Sequence, residues 1–452
     1  MSTAADGGVL IASLPNPGLI NPLLVLAGEL AHRDGPPLRF AGTDDQRAAV
    51  EAITGANRPR FVGLGPHRDA VDPAHWDDDT YRALTTGSRL SRFSAFLDAA
   101  VDSEYGWGKY EALLAEIDRA KPALVVADSS TSWAMDAAAV RGIPYLATVA
   151  MPVSSVYLDR LPWSYPTPFS GLGRQLPLGD KVANALFRLG CRTAVMAPKR
   201  IKEAAPVVKR RRAAGVPNPM GLPSRHADAA VSVLAFTVPE LDYPFPALPD
   251  NVRYVGAMVP ADQGRTADDD VLPWLDEHES VVYIGFGTIM RPTAGQVRAL
   301  VETARALGPE HHVLWKLPVA QQHLLPADLP ANLRVTGWVP SQVDVLAHPS
   351  VRVFFNHGGG NGVNEGLRFG KPLLVLPFWM DCHDYAARVV DSGAGLSVPH
   401  ETDPDPAVLT ALLVRLLTED VFRVRAAELA ESHRKAGGVV AAADEVVRAW
   451  SA

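Results

Sequence analysis

Cysteine is nearly absent from the chain: Cys191 and Cys382 are the only two in 452 residues. They lie far apart and fit no CxxC or zinc spacing, which excludes a disulfide scaffold and points to a reducing, cytoplasmic setting. Excess basic charge is missing as well. The formal net charge is −7, which argues against nucleic acid as the main partner. No apolar run reaches the roughly 18 residues that a membrane span requires, so no integral membrane segment is expected. The opening residues MSTAADGG lack the basic stretch and apolar core of a signal peptide. What is present is an ordinary globular composition, 47% apolar and 21% charged, long enough for two or three domains.

Short apolar runs alternate with helical patterns. GVLIAS, PLRFAG, RFVGL, ALVVAD, PYLATV and VSVLAF predict strands in the first half. VRYVGAMV, SVVYIGFG, HHVLWKL, LRVTGW, VRVFFNH, PLLVLP and GLSV do so in the second. Such runs, without polar alternation, suit parallel strands covered on both faces and so a doubly wound α/β fold. The proline-rich PELDYPFPALPDN predicts a linker at 239–250, separating an N-terminal domain (1–238) from a C-terminal one (251–430). Residues 431–452 are expected to form a helix that packs back on the N-terminal domain. Two such domains facing each other bind ligands at the carboxyl ends of their strands.

The densest motif lies there. A buried strand ends at His357, three glycines follow, then Asn361, Gly362 and a helix running through Glu365. Glycine lets an anion approach the backbone, and a helix N-terminus supplies free N–H groups and positive dipole. His357 can donate to the same anion, so the segment reads as a diphosphate cradle. A dinucleotide fingerprint does not fit: counted from Gly358, its sixth position is Val363.

At these residues the chain resembles the UDP-glycosyltransferase family of the GT-B fold, two Rossmann-like domains facing across a cleft. The family signature runs W-x-P-Q, then H-x-G-x-N-S-x-x-E, then P-x-x-x-D-Q-x-x-N-A; here the segments are WVPSQVDVLAH, HGGGNGVNE and PFWMDCHDYA. SVVYIGFGT, PGLINPLLVLAGELAHRD, KPALVVADSSTSW and, more weakly, LPWSYPTPFSG extend the likeness over most of the chain. The resemblance implies a UDP-sugar donor rather than a dTDP-sugar, a small-molecule acceptor, inversion, and neither cofactor nor metal. It implies Trp338 against uracil and Gln342 on the nucleoside, with Ser341 as an insertion. Glu365 would hold the ribose, and His357, Gly359, Asn361, Gly362 and Thr288 the diphosphate. Asp381 and Cys382 fall at sugar-binding positions. Gly362 replaces the usual Ser, Cys382 the usual Gln and Tyr385 the usual Asn, which suggests a modified sugar, with His383 or Asp384 compensating.

The family's first loop reads G-H-x-x-P, its His being the base. Here it reads Gly18-Leu19-Ile20-Asn21-Pro22, so Leu19 occupies the base position at the acceptor pocket. Asp128, ending ALVVAD, matches the Asp that orients that His. A positioned base contributes ~10²–10⁴-fold, roughly 3–5 kcal/mol of barrier. Three readings remain. Asp128 is itself the base, for an acidic acceptor such as a phenol; this is the favoured one. His32, His67 or His75 supplies the base. Or the chain binds nucleotide-sugar, or activates a partner enzyme, without catalysis. The plain alternative for Asp128 is a helix cap. The runs Asp77–Asp79 and Asp268–Asp270 read as caps and loops, and Lys209–Arg212 as a solvated helix face. Trp76, Tyr105, Trp107, Tyr110, Trp163 and Tyr165 suit an aromatic or polyketide-like acceptor.

Overall fold

A computed structural model of the chain describes residues 7–99, 103–261, 270–339, 341–399 and 404–452. Every apolar run named above forms a strand. In the first sheet these are β1 (Val9–Ala12), β2 (Leu38–Gly42), β3 (Arg60–Gly63), β4 (Leu124–Asp128), β5 (Tyr145–Val149), β6 (Ser232–Ala235) and β7 (Val252–Tyr254). They lie parallel in the order β3-β2-β1-β4-β5-β6-β7. The second sheet holds β8 (Val281–Gly285), β9 (His312–Lys316), β10 (Leu333–Thr336), β11 (Val351–Asn356), β12 (Leu373–Val375) and β13 (Gly395–Ser397). Its order is β10-β9-β8-β11-β12-β13, again parallel. All residues of β1, β4, β5, β6 and β8 are buried, as expected of strands covered on both faces.

The strand order reverses twice, at β1/β4 and at β8/β11. Ala12 pairs with Ala127 and Gly285 with Asn356, so the turns leaving each pair emerge side by side. Such switch points are where open parallel sheets hold ligands.

The expected domain boundaries need correction. β7 pairs with β6, so segment 239–250 lies inside the first sheet's connectivity, and the crossing to the second sheet follows Tyr254. The prolines mark a docked loop rather than a free tether. Val238 and Leu241 are buried in the second domain's core, and Tyr243 and Phe245 in the first. The boundary at 430 also shifts. One helix runs Asp420–Ala436 against the helix Gly360–Arg368, and the chain then turns at Gly437 and Gly438, both with positive φ. The final helix, Gly438–Trp450, lies on the first helix, Pro17–Ala31. Val439, Ala442, Ala443 and Val446 share a core with Leu23, Leu26 and Leu30. No helix among the described residues is long and apolar enough to cross a membrane.

Candidate active site at the domain cleft

The nucleotide half is built at the β8/β11 switch point. Asn356 Oδ1 accepts from the Gly358 N–H (2.8 Å), which turns the chain through the left-handed Gly358 (φ +85°). Gly359 then caps the helix Gly360–Arg368 without a side-chain hydrogen bond, leaving the first N–H groups open to an anion. The glycines have a second reason that the sequence does not reveal. A Cβ on Gly359 would stand 2.5 Å from His357 Nε2, and one on Gly360 2.4 Å from the Ala150 carbonyl of the other domain. The tight approach at these glycines is therefore by other protein groups. A Cβ on Gly287, in the same turn as the exposed Thr288, would likewise stand 2.7 Å from His357 Cε1. Burial, with the Lys316 cation adding to it, pushes the His357 imidazole down to about 4. At neutral pH it is an uncharged donor. Asn361 reaches across the cleft, its Nδ2 donating to the Gly18 carbonyl at 3.2 Å.

Ser341 does not displace Gln342. It caps the helix Gln342–Ala347, accepting from the Asp344 N–H at 3.1 Å. Gln342 then donates to Glu365 Oε2 (2.7 Å) and accepts from the Tyr283 hydroxyl (3.2 Å). Glu365 Oε1 accepts no hydrogen bond among the described residues. Burial raises the Glu365 carboxyl, and Gln342 and Lys316 oppose that shift. Trp338 is 66% exposed, with Lys316 Nζ 5.3 Å from its ring, so the indole offers surface to a flat base.

At the sugar positions the structure divides the expected residues. Asp381 sits in the first turn of the helix Met380–Ser392, after Met380 in a left-handed conformation (φ +37°). Burial and the nearby Asp384 push its carboxyl up to about 7. Cys382, by contrast, is 1% exposed in the second domain's core. Burial holds its thiol protonated, so it is a packing residue rather than a sugar ligand. His383 and Asp384 do not compensate. Asp384 accepts from the Phe169 and Gly171 N–H groups (2.6 and 2.8 Å), and His383 Nε2 lies 3.1 Å from Arg92. Further along, Arg388 pairs with Asp242 (3.1 Å) and Asp391 with the Tyr243 hydroxyl (2.5 Å). This helix latches the two domains together, and Tyr385 completes it by donating to the Ala150 carbonyl at 3.1 Å. The i, i+4, i+7 spacing of Asp384, Arg388 and Asp391 was a signal in the sequence that motif matching hides.

The candidate acceptor side is at the β1/β4 switch point, and neither Asp128 nor Leu19 is among the residues that line the cavity there. A cavity of about 300 Å³ is lined by Leu14, Asn16, Tyr105, Trp107, Tyr110 and Trp133, among others. Three of the six expected aromatics are therefore there. Trp76 and Tyr165 are buried in packing and Trp163 is exposed. Leu19 is half-buried in the first turn of its helix. Asp128 is 1% exposed, and Oδ1 accepts from the Ser130 N–H at 2.7 Å. Oδ2 is buried with no partner. Burial pushes this carboxyl up to about 6. The cap of the following helix is Thr131, not Asp128. His32 is exposed at the far end of the first helix, roughly 20 Å along it from Leu19. The basic run is not simply solvated: Arg211 pairs with buried Asp136 at the cavity wall, and Arg210 with Glu104. Asp77 does cap a helix, through the Thr80 N–H, whereas Asp268 and Asp269 lie outside the described residues.

A family model described as UDP-glucoronosyl and UDP-glucosyl transferase matches residues 109–437, most of the chain. The chain belongs to this glycosyltransferase family. A 4'-demethylrebeccamycin synthase of Lentzea aerocolonigenes is 29% identical to this glycosyltransferase over 96% of this chain and 98% of the relative. A UDP-glucuronosyltransferase 2B15 of Rattus norvegicus is 31% identical, over 38% of this chain but only 32% of its own length. Among solved structures, the glycotransferase of kitacinnamycin superposes with a TM-score of 0.71 at 21% identity, covering 98% of this chain and 99% of that one. A UDP-glucose: anthocyanidin 3-O-glucosyltransferase in complex with UDP gives 0.67 at 20%, covering 99% and 100%. These likenesses fix the glycosyltransferase's architecture as GT-B.

Proposed function

We propose that this glycosyltransferase moves a sugar, with inversion, from a UDP-sugar to a small apolar, aromatic or polyketide-like acceptor, and that Asp128 takes the acceptor's proton. The observation that carries the base assignment is Asp128 Oδ2, buried without a partner in a chain whose usual imidazole position is Leu19. Its raised value, about 6, leaves the carboxylate ionised at neutral pH yet basic enough to assist a phenol. On the donor side, Gln342 holds Glu365 for two ribose hydroxyls, a charge-assisted contact that favours UDP over dTDP. Trp338 takes the uracil face. The open helix N-terminus at Gly360–Gly362, Thr288 and neutral His357 stabilise the leaving diphosphate without a metal there. Asp381, near its midpoint at neutral pH, can accept from or donate to a sugar hydroxyl. The natural-product names of two similar proteins, 4'-demethylrebeccamycin synthase and the kitacinnamycin enzyme, support an acceptor of that class.

The test is transfer from UDP-sugars to a panel of phenols. Asp128→Asn keeps the acceptor oxygen that Ser130 binds, so UDP affinity should hold while transfer falls ~10²-fold or more. In the wild type, kcat/KM should rise with pH through about 6, a limb absent from the variant. Tight UDP binding with no turnover on any acceptor would sink the reading in favour of a non-catalytic binder. Stability gives an independent check. The folded-state value lies above the ordinary 3.8, so the folded protein holds this proton longer than the unfolded chain. Wild-type stability should therefore fall relative to the variant between pH 4 and pH 6 and then level off, by on the order of 3 kcal/mol.

A further inference from the structure

The loop after β3 reads His67-Arg68-Asp69-Ala70-Val71-Asp72-Pro73-Ala74-His75. Donor functions no role so far absorbs gather there. His67 Nε2 lies 3.4 Å from Asp69 Oδ1 and 3.2 Å from Asp72 Oδ2, and His75 Nδ1 lies 2.8 Å from Asp72 Oδ2. Ligand atoms of His67, Asp69 and His75 all fall within 4.8 Å of one another. We propose that His67, Asp69 and His75 form a binding site for a divalent transition metal of the zinc class, on the acceptor side of the cleft, with Asp72 beside them orienting the two imidazoles.

Three observations support it. First, His67 Nε2 stands 3.4 Å from Asp69 Oδ1, about the 3.3 Å that separates N/O atoms bound tetrahedrally at about 2.0–2.1 Å, while Asp72 Oδ2 is hydrogen-bonded to His75 Nδ1 at 2.8 Å. Second, His67 is surrounded but not bonded. Both ring nitrogens are shielded from solvent and neither makes a hydrogen bond, although three carboxylates stand within 4 Å of the ring. Third, the outer contacts resemble those that orient metal ligands. Asp45 Oδ2 lies 3.9 Å from His67 Nδ1, the nitrogen turned from the proposed metal. Asp72 Oδ1 accepts from the Ala74 N–H (3.0 Å) and from Asn16 Nδ2 (3.5 Å).

Charge points the same way. Asp45, Asp69 and Asp72 bring three carboxylates to one imidazole. Two cations offset part of that charge: Arg68 lies over the Tyr105 ring, and Lys109, donating to the Leu64 and Pro66 carbonyls, interacts with Asp44 and Asp45. A divalent ion would balance the remaining negative charge at a place where two imidazoles can also bind it. Imidazole and carboxylate donors together suit zinc. Asp69 and His75 are 75% and 55% exposed, so an ion can enter from solvent.

The site has a structural consequence for the acceptor. Asn16 and Val71 both line the 300 Å³ cavity, and Asn16 touches Asp72. An ion here would stiffen the loop after β3 and so steady Val71 at the cavity wall and Asp72 beside Asn16. The loop also touches the other domain, where Arg291 donates to the Ala74 and Trp76 carbonyls on either side of His75.

The full chain, stripped with a chelator, is titrated with Zn²⁺ by calorimetry and with Co²⁺ by visible absorbance. One equivalent should bind, with the intense bands of tetrahedral cobalt, and Zn²⁺ should raise the thermal midpoint. His67→Ala and His75→Ala should each weaken uptake at least tenfold and lose the bands, while UDP affinity, which reports folding, stays the same. His75 is half-exposed, so its variant is the safer for folding. Absence of stoichiometric uptake by the wild type would overturn the proposal, as would uptake undiminished in the double variant. UDP affinity and transfer to phenols test the donor and base readings separately, so the two proposals can fail independently.

Discussion

The proposed base, Asp128, has a buried oxygen without a partner, and Leu19 stands where the resemblance would put an imidazole. In the family's triad the carboxylate orients an imidazole; here its Oδ2 meets no donor at all. Leu19 is only half-buried, in a helix that already starts at Pro17, so a ring fits its place without a change of backbone. Leu19→His should therefore raise turnover on unactivated alcohols by ~10²-fold, measured against the wild type on the same acceptors. No gain on any alcohol would mean that Asp128 does not stand where an imidazole could use it. Gly362 offers a companion experiment on the donor side. A Cβ there would meet nothing closer than 3.7 Å, unlike one at Gly359 or Gly360. Gly362→Ser should restore a hydroxyl to the diphosphate site and tighten UDP by about 0.5–1.5 kcal/mol, read by calorimetry. Unchanged or weaker binding would show that the hydroxyl does not reach the phosphates. At this scale the sequence reveals residue types but not partners. Glu365 and Gln342 can be proposed as nucleotide ligands from the motif; that Gln342 holds Glu365 cannot, because the contact joins residues 23 apart through a capped turn.

Among the elements, the helix Met380–Ser392 does two jobs with two faces. Its first turn presents Asp381, and its i, i+4, i+7 face locks onto the other domain through Asp384, Arg388 and Asp391. Arg388 and Asp242 are 4% and 2% exposed at their side chains, so removing either leaves a buried charge. Arg388→Ala should cost about 3–5 kcal/mol in denaturant unfolding, whereas Arg388→Met with Asp242→Asn should recover much of that loss. Equal stability of the single and double variants would mean that the pair is not coupled. All thirteen strands were legible in the sequence because both faces of each sheet are covered and the runs are uninterrupted. The proline-rich segment misleads for a physical reason. Proline removes N–H donors and breaks regular elements, in a docked loop as much as in a linker. What distinguishes the docked case is Leu241, Asp242 and Tyr243, all buried, and burial of a loop is a tertiary fact.

For the whole molecule, the chain's end matters as much as its cleft. The helix Gly438–Trp450 leaves the second domain and completes the first domain's core, where Val439 and Val446 are 2% and 0% exposed against the first helix. Arg33 bonds Asp444 at 2.6 Å, and Trp450 Nε1 donates to the Gly7 carbonyl at 2.8 Å. Together with the helix Met380–Ser392, the Asn361–Gly18 bond and the bonds of Arg291 to Ala74 and Trp76, this ties the domains at several separate places. A chain tied in this way should unfold as one unit. Truncation after Ala436 uncovers Leu23, Leu26 and Leu30 on the same helix whose first turn carries Leu19. The two valines alone are worth roughly 3–6 kcal/mol of burial. The truncated chain should therefore show two calorimetric transitions, the earlier one belonging to the acceptor domain, and UDP should shift only the later one because its ligands sit in the second domain. A single transition at the wild-type temperature would show that the final helix adds nothing to the first domain. A lower but still single transition, shifted by UDP, would show that the remaining ties are enough to keep the two domains one cooperative unit.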